Sequence, residues 1–461
     1  MAIVGAFMVP HPPMIVPNVG RGGEKQVEAT IKAYEHVADM IAELKPETII
    51  ISSPHSVMYA DYFHISPGSR AKGSFADFGA REVSFEEEYD TELTDLIESR
   101  AAERNFPAGT LGERNRELDH GTMVPLYFIE QKYKDFKLVR TGLSGLDLMK
   151  HYEYGMIIKE AVESFDRRVV FVGSGDLSHK LQEYGPYGFA PEGPEYDKRI
   201  MDVCGNARFK ELFDFEESFC EKAAECGHRS FVVMAGALDG TAVKATQYSH
   251  EDVTGVGYGI CSFIPEGPDD SRHFLAEKLA DTDKALTDKK EKSDAYVRLA
   301  RASAEYFVTH KEPLPMPGWV PAVLKETRAG AFVSIHKFDR LRGCIGTIQP
   351  VRANLAEEII KNAISAVSED PRFDPVTPDE LKWLDISVDV LGEPERINSE
   401  DELDVKRYGV IVESGYKRGL LLPDLDGVDS VEQQIDIARR KAGIPEGTKL
   451  DLYRFEVVRH Y

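Results

Sequence analysis

"RRVVFVGSGDLSH", residues 167 to 179, decides how the first half of the chain is read. Four successive apolar residues, 169 to 172, have the length and the Val content of a buried strand, and the glycines and serines behind them end it. His179 stands a few residues past that end. Two other stretches share this form. "ETIIISSPH", residues 47 to 55, predicts a strand over 48 to 51 followed by His55, and "MVPHPPMIVP", residues 8 to 17, follows the apolar run 2 to 9 with His11 among three prolines. "FKLVRTGL", residues 136 to 143, is a weaker example. Between the strands, Val27, Ile31, Tyr34, Val37, Ile41 and Leu44 recur at three- and four-residue steps, which predicts an amphipathic helix over 24 to 44. Strand, loop, helix and strand again predict an α/β domain whose largely parallel or mixed sheet is flanked by helices.

In an open parallel sheet the carboxyl ends of the strands share one edge, where ligands bind. His11, His55 and His179 would therefore converge there. His120, in "ELDHGTMVPL" (117 to 126), stands where a polar loop runs into an apolar helix and could reach the same crevice. Any one of the 13 histidines is most simply a turn or surface residue, and His36 and His310 have no such context. Four at strand ends or helix starts are a pattern.

Composition bounds the partners. The 461 residues are 42% hydrophobic and 29% charged, as in a globular protein of two or three domains, and the net charge of -23 argues against nucleic acid or an anionic membrane. No basic leader opens the sequence and no apolar run approaches 18 residues, so the expected location is cytoplasmic. Five cysteines without a C-x-x-C pair suggest reduced thiols. "GSGDLS" lacks the last glycine of a dinucleotide loop.

The α/β pattern fills residues 1 to 265. Residues 266 to 292 turn polar and charged, which predicts a linker carrying a solvated helix at which the halves separate. Residues 293 to 461 form a smaller domain in which helices such as "NLAEEIIKNAISAV" (354 to 367) alternate with strand-like runs such as "LDISVDVL" (384 to 391), predicting an α+β fold.

Two neutral imidazoles and a carboxylate on one face of a metal suit non-haem Fe(II), because the opposite positions stay open for substrate and O₂. By spacing alone no one of the 79 acidic residues stands out as the carboxylate. "VPHPP", "SPHS", "LDHGTMVPL" and "GSGDLSH", in this order over about 265 residues, resemble the class III extradiol ring-cleaving dioxygenases. The resemblance implies that His11, His55 and Glu225 hold Fe(II), that His179 is the acid/base catalyst, and that His120 either lies just behind the metal ligands or assists proton transfer. It also implies a catechol-like or aminophenol-like substrate together with O₂. Zn, Cu and Mn are the alternative ions. "AAECGHRS", residues 223 to 230, is similar in addition to the Memo family, in which a cysteine faces the metal pocket and no ring cleavage is implied. Cys226 in that place would be a softer ligand, favouring copper or a redox role.

In the second half, "LRGCIGTIQP", "EDPRFDPVTPDEL", "LDISVDVLGEPERI" and "YGVIVESGYKRGLLLP" resemble the AMMECR domain across residues 293 to 461. Together the halves resemble system protein A of the AmmeMemoRadiSam group, which implies a radical-SAM protein as a partner and is compatible with a homo-oligomer. Gly343 and Gly346 around Cys344 suggest either a thiol in a small pocket or a tightly packed strand turn.

Overall fold

A computed structural model describes residues 3–114, 117–425 and 427–461. The chain divides into two compact units, Met1–Lys278 and Leu279–Tyr461. Among the described residues no helix is long and apolar enough to cross a membrane.

The first unit is built on six strands: β1 (Ile3–Val9), β2 (Thr48–Ser52), β3 (Lys137–Thr141), β4 (Val169–Ser174), β5 (Thr241–Glu251) and β6 (Tyr258–Pro268). Their order across the sheet is β3-β2-β4-β1-β6-β5. β3, β2, β4 and β1 are mutually parallel, whereas β6 and β5 run antiparallel. The sheet is therefore mixed, as expected. Every residue of β2 and β4 is buried, which is why these strands read as unbroken apolar runs without alternation. Residue 2, expected at the start of β1, lies outside the described residues.

The helices that accompany the sheet include α1 (Glu28–Leu44), α2 (His120–Ile129), α3 (Leu148–Glu163), α4 (Glu192–Gly205) and α5 (His228–Ala237). One core joins Phe7 and Val9 of β1, Tyr34, Val37 and Ile41 of α1, Val124 and Phe128 of α2 and Ile260 of β6. The helix expected over 24 to 44 is α-helical only from Glu28, because Gly23–Val27 is a 3-10 turn. The reason lies far off in sequence. The carboxylate of Glu251 accepts both the backbone N–H of Thr30, at 2.6 Å, and its hydroxyl, at 2.7 Å, which satisfies the donors of a first turn starting there.

β6 continues past residue 265. Pro265, Gly267 and Pro268 still pair with Val243, Ala242 and Thr241 of β5, and helix α6 (Phe274–Lys292) follows, with Leu275 its one buried side chain.

The second unit has α7 (Ala295–His310), α8 (Leu355–Ser368) and α9 (Val431–Lys441) with seven antiparallel strands. These are β7 (Ala331–Lys337), β8 (Arg340–Gly346), β9 (Leu384–Leu391), β10 (Glu395–Ile397), β11 (Tyr408–Ser414), β12 (Lys417–Leu421) and β13 (Asp451–His460). The order is β8-β7-β9-β13-β11-β12, with β10 also on β13. Leu299, Ala304, Ile359 and Ala363 of α7 and α8 pack on Val333, Ile335 and Val388, while Ile435 and Ala438 of α9 pack on Val410, Val412 and Leu421. An α+β fold results, as the sequence predicts.

The glycines beside Cys344 are packing residues. A Cβ on Gly343 would lie 2.2 Å from the Ala366 carbonyl of α8, and one on Gly346 would lie 2.2 Å from the Phe332 ring. Cys344 itself accepts a hydrogen bond from the Ser334 hydroxyl at 3.2 Å, and burial raises its pKa, so this thiol is not activated.

Candidate metal centre

Three strand ends build the site. β1 ends at Val9 and delivers His11, β2 ends at Ser52 and delivers His55, and β4, lying between them, ends at Ser174 and delivers Asp176 and His179. The Nε2 atoms of His11 and His55 are 3.0 Å apart, and the Cys226 sulfur is 3.6 Å from His11 Nε2. All three donor atoms lie within 4.8 Å of one another.

The tautomer of His11 follows from its neighbours. Ser174 Oγ donates to the Gly121 carbonyl at 2.6 Å, so toward His11 Nδ1, 3.0 Å away, it can only accept. Nδ1 therefore carries the proton and Nε2 presents its lone pair to the cluster, the usual arrangement behind a metal-binding histidine. Burial holds the His11 pKa down at about 4, against the opposing charge of Asp176, and burial likewise lowers that of His55. Both rings are neutral at pH 7 and able to act as ligands.

The 3.0 and 3.6 Å separations from His11 Nε2 are those of donors that share a single transition-metal ion. Nitrogens and a sulfur that share an ion at about 2.0–2.1 Å and about 2.3 Å are separated by roughly 3 to 3.7 Å. Burial and the nearby Asp176 and Glu225 carboxylates raise the pKa of the Cys226 thiol, so ion binding would have to displace its proton.

Cys226 reaches the cluster through a backbone contact. Gly175 lies so close to Gly227 that a Cβ on it would be 2.1 Å from the Gly227 Cα. The Asp176 carbonyl accepts from the N–H groups of Cys226 and Gly227, at 3.4 and 3.1 Å. Glu225 is turned to another task. Its carboxylate accepts the His228 N–H at 2.6 Å and so caps α5, and the structure does not bring it into the donor cluster.

His120 opens α2. Asp119 caps that helix through the Thr122 N–H, at 3.0 Å, and is itself held by Ser53 Oγ at 2.6 Å and by buried Arg140 at 3.6 Å. The His120 ring stands 3.9 Å from that of His55 and 5.4 Å from that of His11, and burial, aided by His55, lowers its pKa to about 4.

His179 is the exception among the site histidines. Burial alone would lower its pKa, but Asp176, whose Oδ2 is 3.9 Å from Nε2, reverses the sign and leaves it raised. Asp176 Oδ1 also accepts the His11 N–H at 2.7 Å. One buried carboxylate thus positions His11 and favours a protonated His179. Ser174, Asp176, Asp119 and Ser53 were not singled out from sequence, although Asp176 stands inside "GSGDLSH" and Asp119 directly precedes His120.

His228, behind the site, gives a prediction on stability. Its ring faces the Leu212 carbonyl at 2.9 Å and the Tyr196 hydroxyl at 3.3 Å, and burial lowers its pKa to about 4. Between pH 6.5 and 4 the unfolded chain binds a proton there that the folded chain does not, so stability falls as pH falls through this window. The slope from this group is about 1.4 kcal/mol per pH unit. Urea midpoints of the metal-free protein are expected to drop from pH 7 to pH 5, and less steeply in His228→Gln. An equal slope in the variant would disprove the assignment.

Residues 5–261 match the family described as the catalytic LigB subunit of aromatic ring-opening dioxygenase, and residues 297–460 match AMMECR1. Protein CA_C1420 of Clostridium acetobutylicum is 42% identical over 468 residues, covering 100% of this chain and 99% of its own. A protein of Thermotoga maritima is 51% identical over 167 residues, 36% of this chain and 96% of its own. Among solved structures, protein PH0010 of Pyrococcus horikoshii aligns with 37% of this chain and 91% of its own at 32% identity, with a TM-score of 0.35. The chain belongs to the LigB family of dioxygenase-like proteins and carries an AMMECR1 domain in its second half.

Proposed function

We propose that the first unit is a metal-dependent oxidoreductase acting with O₂ on a small catechol-like or aminophenol-like aromatic. In this reading His11, His55 and Cys226 hold the ion and His179 moves the proton. The observation that carries it is the convergence of the three donor atoms within 4.8 Å, beside the Asp176 and His179 pair. A bound ion would supply Lewis acidity toward the substrate oxygens and a redox-active centre for O₂.

The chain's own residues do the rest. Ser174 fixes which nitrogen of His11 is free, and Asp176 fixes where His11 sits. His179 takes the proton of a ring hydroxyl and returns it later in the reaction, with Asp176 stabilising the imidazolium in between. His120, kept neutral beside His55, offers a hydrogen bond to a substrate oxygen.

The thiol favours a second reading. Sulfur in place of a carboxylate suits copper, and a redox or metal-carrying role without ring cleavage would then follow. Anaerobic reconstitution with Fe(II) or Cu(I), followed by O₂ uptake against a catechol and aminophenol panel, separates the two. Uptake matched by loss of the aromatic absorbance is expected with Fe(II). Stoichiometric metal binding with no substrate-dependent uptake for either ion would overturn the oxygenase reading in favour of the second.

A further inference from the structure

Two exposed aromatic rings flank the donor cluster, one on each of the two imidazoles that are not donors. Phe78 closes a short turn (Ala76–Phe78) between the strands Arg70–Phe75 and Ala80–Glu88. It is 38% exposed, and its ring centre lies 5.5 Å from that of His120, edge to face. The turn is fixed. Gly79 takes φ +80°, and its carbonyl accepts from Arg21 at 2.9 Å.

Tyr187 comes from the loop that follows His179. It is 61% exposed, with its ring centre 5.1 Å from that of His179. This loop is tied at its base by the Leu181 and Phe189 bridge and by the Ala190 N–H on the Lys180 carbonyl at 3.1 Å, and internally by the Gly185 N–H on the Gln182 carbonyl at 2.9 Å. Gly188, at φ +75°, supplies a backbone turn that other residues rarely adopt.

Rings held in water on ordered backbone forgo the gain of burial, and a ligand that covers them recovers it. Here the rings touch the two groups that would face a substrate's polar atoms, His120 and His179. A ligand meeting both imidazoles and both rings would need polar atoms on one edge and a flat apolar body behind them.

We propose that Phe78 and Tyr187 are a substrate clamp that grips the ring of a small planar aromatic while its adjacent oxygen or nitrogen atoms point at the donor cluster. The inference deepens the proposed function and rests on it. Aromatic contacts at 4.5–7 Å between ring centres add to simple burial, so each ring contributes to substrate affinity without touching metal affinity.

The test is titration of 4-nitrocatechol, followed by its absorbance shift, into the full-length protein loaded anaerobically with Fe(II). Phe78→Ala and Tyr187→Ala are each expected to weaken binding about 5- to 20-fold with metal content unchanged. Tyr187→Phe, which keeps the ring, is expected to stay within about twofold of the parent. Alanine variants that bind as the parent does, or that lose metal, would overturn the clamp alone. A parent protein that binds iron but not the catechol would overturn the proposed function and the clamp with it, whereas loss of binding in His55→Ala supports that function independently of the clamp.

Discussion

Replacing His11 or His55 by alanine is expected to yield folded protein that no longer retains a metal ion. Each variant removes one of three donors, and a two-donor remnant leaves the ion largely to water. The loss should exceed the ~10–100-fold that removing a hydrogen-bonding partner behind a ligand costs. Metal analysis after anaerobic loading and desalting measures it. The sharper contrast lies between two neighbours in the chain. Cys226→Ala is expected to lose metal like the histidine variants, because its sulfur is 3.6 Å from His11 Nε2. Glu225→Gln is expected to retain it, because that side chain accepts from the His228 N–H at the start of α5. A fully loaded Cys226→Ala beside an empty Glu225→Gln would show that the carboxylate, not the thiol, completes the site. Circular dichroism at 222 nm guards against a misfolded variant being counted as an empty one.

That contrast marks the limit of what could be read from sequence. His11 and His55 were legible because unbroken apolar runs announce buried parallel strands, and the ends of such strands share one edge. His120 was legible as a helix start, since a polar loop runs into an apolar stretch there. Which of residues 225 and 226 faces the donors was not. It depends on how "CGH" crosses the end of β4, and the crossing is set by backbone contact between Gly175 and Gly227. Neither glycine signals the other across the sequence that separates them. Asp176 was visible but mute: its role rests on accepting the His11 N–H and on facing His179, two contacts made only once β1 and β4 lie side by side. Phe78 carries no signal at all, since the turn that holds it meets α2 only in the fold. The fold class was readable because it depends on the period of the apolar pattern along each segment. The site depends on contacts between segments.

His179→Gln is expected to keep its metal, to bind 4-nitrocatechol within a few-fold of the parent protein, and to turn over about 10²- to 10⁴-fold more slowly, the range for losing a general acid/base group. The expectation rests on position. His179 lies outside the group of donor atoms, yet it belongs to the same loop as Asp176, whose carboxylate stands 3.9 Å from its Nε2 and raises its pKa. A group that takes a proton from substrate must begin the reaction unprotonated, so the rate of the parent should fall on the acid side as His179 becomes charged. Asp176→Asn removes the charge that favours the imidazolium. The His179 pKa then falls, and the acid limb of the pH–rate profile is expected to move to lower pH. In His179→Gln that limb should vanish while the slow residual rate stays flat across the same window. Substrate-dependent O₂ uptake from pH 5 to 9, in the parent and both variants, measures all three profiles. An acid limb that survives in His179→Gln would assign the titration to another group and remove His179 from the proton path. A metal-free His179→Gln would place it among the ligands.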